Sequence, residues 1–98
     1  MTIEQKKNGS ALLIALEGRL DTMTAPQLEA ALKEALPGVE ALTFDLEKLG
    51  YISSAGLRVL LSAQKTMNKQ GTMKVKNANE MILEIFEVTG FCDILTIE

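Results

Sequence analysis

The chain has 98 residues, 47% of them hydrophobic and 23% charged, which is enough for one compact core and too apolar to stay disordered. Ten Lys and Arg stand against thirteen Asp and Glu for a formal charge of -3, so there is no basic excess to hold nucleic-acid phosphates or an anionic membrane. With no His and a single Cys, Cys92, the sequence excludes internal disulfides, Cys/His metal sites and the common His-based nucleophile constellations.

Met1 to Lys7 lacks the apolar stretch of a signal sequence, and the longest apolar run, Ala11 to Leu16, is too short to cross a bilayer, which points to a soluble, cytoplasmic protein without membrane insertion. Thr2 to Lys7 alternates weakly around Ile3, and the turn pair Asn8-Gly9 joins it to the Ala11–Leu16 run, predicting an edge strand hairpinned to a central one. Gly18 to Met23 reads as a polar connection. Thr24 then opens a helix as N-cap, with Pro26 in the first turn and Gln27 closing a capping box. Ala25, Leu28, Leu32, Ala35 and Leu36 share one face of that helix, and Pro37-Gly38 ends it. Leu42, Phe44 and Leu46 alternate with Thr43 and Asp45 as a short strand with Asp45 near its end.

Ser53-Ser54-Ala55-Gly56 opens a second helix, on which Leu57, Leu60, Leu61, Gln64 and Met67 recur at helical intervals until Gly71. Thr72 to Lys76 makes another strand, Asn77 to Glu80 caps a third helix through Ile82, Ile85 and Phe86, and Gly90 stops it. Ile94 to Ile97 can add a last short strand. The order ββαβαβαβ describes an α/β fold with a mixed sheet and one core. The five methionines read as an initiator, a loop residue at Met23 and core filler, and Cys92 as a small buried hydrophobe. A monomer is the default because no long apolar edge strand appears, although Phe91 and Leu95 could support weak self-association.

Two hydroxyls, Ser53 and Ser54, stand at the mouth of the second helix. On spacing alone, one of them caps it by accepting a hydrogen bond from an early N–H, worth about 0.5–2 kcal/mol. The other is then free, and the small residues Ala55 and Gly56 let a partner approach closely. A phosphate there suits the positive end of a helix and also places a charge of about -1.5 to -2 on any interface that includes it. The polar turn with Arg19, Asp21 and Thr22 is a second candidate. An enzymatic reading, with Ser54 as nucleophile and Lys65 or a carboxylate as base, has no supporting nucleophile motif.

The run from Asp45 through Ser53-Ser54-Ala55-Gly56-Leu57-Arg58 to Leu60, with the earlier Glu17-Gly18-Arg19-Leu20-Asp21-Thr22, resembles bacterial anti-sigma factor antagonists of the STAS domain family. The resemblance covers nearly the whole chain and implies one STAS domain over residues 1–98. It also implies a mixed four- to five-stranded sheet with helices packed mainly on one side. In such proteins the unphosphorylated form binds an anti-sigma factor that is also a serine kinase, phosphorylation breaks the complex, and a serine phosphatase resets it. Carried onto this chain, Ser54 is the phosphoacceptor with Ser53 in reserve, and Asp21, Thr22, Ser53, Ser54, Ala55, Gly56 and Arg58 form the partner surface. The family commonly has Asp where Ser53 stands. No catalytic residue, cofactor or metal of its own is implied. The alternative is a constitutive STAS interaction subunit of a signalling or transport complex, in which the serines only cap the helix.

Overall fold

The computed structural model describes residues 1–98. Strands β1 (Thr2–Asn8) and β2 (Ala11–Leu20) form the expected hairpin, with Gly9 at a φ of 63° in its two-residue turn. Helix α1 (Ala25–Ala35) leads to β3 (Ala41–Ile52), α2 (Ser54–Asn68) to β4 (Thr72–Lys76), and α3 (Glu80–Val88) to a single 3₁₀ turn at Phe91–Asp93. The four strands lie in the order β1-β2-β3-β4, with β1 antiparallel to β2 and the rest parallel. Parallel strands that step across a sheet in one direction, each crossover having the preferred hand, place their helices on one face.

Burial follows from that arrangement. Leu12, Ile14 and Leu16 of β2, Leu42, Phe44 and Leu46 of β3, and Met73 and Val75 of β4 are buried against the helices. On the opposite face Leu13, Ala15, Thr43 and Asp45 are only half-buried and Lys74 is exposed. The apolar run in β2 is therefore continuous in sequence but two-sided in space. Leu28 and Leu32 of α1, Leu57, Leu60 and Met67 of α2, and Ile82 and Phe86 of α3 complete one core, each fully buried side chain contributing about 1.5–3 kcal/mol.

Several expectations are corrected. The connection read at Gly18–Met23 is shorter, because β2 continues to Leu20 and β3 to Ile52. The two strands stay paired through two register shifts, after Ala15 and after Gly18, at each of which β3 contributes one extra residue. Such bulges break the strict alternation by which a strand is recognised. Asp45 consequently lies in mid-strand. The last strand reduces to a bridge between Val75 and Ile97, in which the Val75 N–H donates to the Thr96 carbonyl at 2.9 Å and the Glu98 N–H donates to the Val75 carbonyl at 2.8 Å. Met81 and Cys92 are exposed rather than buried, and Leu95 is buried and unavailable for self-association.

Candidate functional site

The paired ends of β2 and β3 bring the two sequence motifs together. The Ser53 N–H donates to the Leu20 carbonyl at 2.9 Å, so the first turn of α2 starts beside the residue that precedes Asp21. Gly56 allows this approach. A Cβ there would lie 2.7 Å from Leu20 Cγ, 2.9 Å from Ile52 Cγ1 and 2.9 Å from the Leu20 carbonyl oxygen. Gly56 is therefore buried against its own fold, and its expected place on a partner surface is corrected. Its lack of a side chain serves the joint between α2 and β2.

The Asp21–Thr24 turn is held by a reciprocal box. Asp21 Oδ1 accepts from the Met23 N–H at 3.0 Å and the Thr24 N–H at 3.2 Å, while Thr24 Oγ1 accepts from the Asp21 N–H at 2.8 Å and donates to the Arg19 carbonyl at 2.8 Å. The capping box thus sits three residues earlier than expected. Thr24 makes no side-chain cap of α1, and Gln27 donates instead to the Met1 carbonyl. Partial desolvation works against the Asp21 charge, but the N–H groups of Thr24 and Met23, the Thr24 hydroxyl and Arg19 hold its carboxyl below the ordinary value of 3.8. Arg19 Nε lies 3.6 Å from Asp21 Oδ2, and its guanidinium sits 4.5 Å from the centroid of the Tyr51 ring. This stacking follows from the shifted register, in which Arg19 pairs with Tyr51. Spacing alone could not show it.

Neither serine hydroxyl caps α2, so the capping expectation fails for both. Ser53 Oγ is buried with no hydrogen-bond partner, whereas Ser54 is exposed as the first residue of the helix. Thr22, Ala55 and Arg58 border one shallow groove between the starts of α1 and α2. Arg58 is exposed one turn after Ser54. The structure therefore gathers Asp21, Thr22, Ser54, Ala55 and Arg58 at one end of the molecule. Met23, expected as a loop residue, is 86% exposed at the tip of the same turn, an apolar side chain beside the expected partner surface that the motifs did not include in it. No group of three or more Cys, Asp and Glu is placed to hold a metal ion.

A family model described as "Mlab, STAS domain" matches residues 3–96. BtrV of Bordetella bronchiseptica, provisionally named an anti-sigma factor antagonist, is 34% identical, the match covering 99% of this chain and 85% of BtrV. The anti-sigma-B factor antagonist of Bacillus subtilis is 29% identical over 99% of this chain and 90% of its own length. The crystal structure of an anti-sigma factor antagonist from Mycobacterium paratuberculosis superposes with a TM-score of 0.89 at 22% identity, covering 98% of this chain and 83% of that one, which shows the same fold. With matching motifs at one end of a four-stranded mixed sheet and a family model spanning nearly every residue, the chain belongs to the STAS domain family.

Proposed function

We propose that this protein is an anti-sigma factor antagonist that binds an anti-sigma factor with serine kinase activity through the Asp21–Thr24 turn and the start of α2. Phosphorylation of Ser54 by that partner releases it, and a serine phosphatase restores binding. The observation that carries this reading is the contrast between the two serines: the Ser54 hydroxyl is open to solvent and makes no cap, while Ser53 Oγ is buried. A kinase can reach the first and not the second.

The energetics favour a switch that leaves the fold intact. A phosphoryl group at the start of α2 meets unpaired N–H groups and the positive end of the helix, a gain of about 0.3–1 kcal/mol. Inside a complex the same group of about -1.5 to -2 charge would be desolvated among side chains arranged for a neutral hydroxyl. Every 1.4 kcal/mol or so of that cost weakens binding tenfold. Arg19, held by Asp21 and Tyr51, and Arg58 supply cationic contacts for an acidic partner surface around the serine.

The test is capture from host lysate on wild-type and Ser54→Asp baits side by side, with mass spectrometry of the retained proteins and affinities for the purified partner. We expect a kinase-type anti-sigma factor on the wild type only, with at least tenfold weaker binding to Ser54→Asp, and phosphate mapped to Ser54 after incubation with that partner and ATP. Equal retention of one partner by both baits would sink the switch and favour a constitutive STAS subunit.

A further inference from the structure

Four of the five large apolar side chains that stand in solvent, Met81, Leu83, Val88 and Ile94, fall in α3 and the segment after it. Val88 is 80% exposed and Met81 51%. With half-buried Ile85 they form a stripe at i, i+4 and i+7 along α3, and Glu80, Glu84 and Glu87 form a second stripe beside it at the same spacing. The helix packs Ile82 and Phe86 into the core with Ile85 partly against it, which leaves Met81, Val88 and the three glutamates outside the packing of the fold. Residues 77–98 carry five carboxylates and no Lys or Arg, while the rest of the chain carries all ten basic residues against eight acidic ones. Glu98 pairs with Lys74 at 3.1 Å, and no basic side chain forms an ion pair with the α3 carboxylates.

An apolar stripe edged by unpaired carboxylates restricts what can cover it. A second copy docking through the same face would set carboxylate against carboxylate, and an anionic membrane or a nucleic acid would be repelled. We propose that α3 is a docking surface for a cationic amphipathic helix of another protein, whose apolar residues cover Met81, Ile85 and Val88 while its Lys or Arg side chains meet Glu80, Glu84 and Glu87. The surface lies on a different helix from Ser54, so it holds its partner whether or not that serine is modified.

The probe is a synthetic amphipathic Leu/Lys helix titrated into the isotope-labelled full chain and followed by NMR, with a Leu/Glu helix and a scrambled Leu/Lys peptide as comparisons. Saturable shifts confined to α3 are expected with the Leu/Lys helix, at least tenfold weaker binding with the scrambled peptide, and none with Leu/Glu. The double variant Met81→Ser, Val88→Ser should keep its melting temperature and lose about tenfold in affinity, whereas Ser54→Asp should bind the helix as the wild type does. Shifts spread over the carboxylates of α1 and the sheet, or undiminished binding by the double variant, would overturn the proposal in favour of diffuse charge attraction. Concentration-dependent α3 shifts in peptide-free protein would overturn it in favour of a second copy.

Discussion

Adjacent residues with the same side chain have opposite environments at the start of α2, and this sets what each substitution does. Because the Ser54 hydroxyl makes no cap, Ser54→Ala should change unfolding free energy by less than about 0.5 kcal/mol in urea denaturation, the usual range for a surface substitution. A loss near 1 kcal/mol would mean that the hydroxyl caps the helix in solution. The carboxylates give a second prediction. Desolvation pushes the Asp45 carboxyl up, but the Asn77 amide, the Glu47 N–H, Lys76 and Lys48 outweigh it and hold the group below the ordinary 3.8, as the turn does for Asp21. A carboxyl whose pKa is lower in the folded state contributes stability that is fully present above its unfolded value and is lost as pH falls through its folded value. Denaturation midpoints should therefore decline as pH drops below about 4, and the decline should be smaller in Asp45→Asn and in Asp21→Asn. An acid limb unchanged by either substitution would show that these hydrogen bonds do not persist in solution.

At the scale of elements, the joint between α2 and β2 decides whether the site exists. Gly56→Ala adds a methyl group against Leu20 and Ile52, and the contacts include a backbone oxygen that cannot rotate away. The gain in helix propensity, up to about 1 kcal/mol, is smaller than the cost of overpacking. Overpacking costs about 1–3 kcal/mol, so the net loss should be about 1–2 kcal/mol, seen as a melting temperature lower by about 5–10 °C, and partner affinity should fall because the start of α2 shifts away from the Asp21 turn. A variant as stable as the wild type would mean that α2 sits further from β2 than described. The three helices were legible in the sequence because their apolar residues repeat at a single period and Pro37, Asn79 and Gly90 mark their limits. The ends of β2 and β3 were not, because two bulges on β3 change which face each residue takes. The same bulges hid the Arg19–Tyr51 stack and made the polar turn look longer than it is. Ser54, Asp21, Thr22 and Arg58 were recognisable as a set from their motifs, but the separate fates of Ser53 and Gly56 depend on contacts made across the sheet.

At the scale of the whole molecule, the sheet has two edges that are protected by different means. Strand β1 carries Glu4, Lys6 and Lys7 along its length, charges that oppose pairing with another chain. Strand β4 is short, and its outer side is covered at Val75 by two backbone hydrogen bonds from the terminal segment, with the Lys74–Glu98 ion pair beside them and half-buried Ile97 packed on the core. Each backbone bond contributes about 0.5–1.5 kcal/mol net, and an exposed ion pair adds at most about 1 kcal/mol. Deleting residues 96–98 should therefore cost about 1–4 kcal/mol from these polar contacts, with the Ile97 packing lost as well, and lower the melting temperature by at least about 5–20 °C. It should also free the N–H and carbonyl of Val75 on an edge whose inward residues, Met73 and Val75, are apolar. The second effect separates coverage of the edge from packing. Ile97→Ser loses apolar contact but keeps the backbone bonds, so it should melt earlier and remain monomeric, whereas the deletion should melt earlier and also associate with rising concentration, as read by light scattering after size exclusion. If the deletion stays monomeric, Lys74 and Lys76 guard the edge unaided, and the terminal segment contributes only stability.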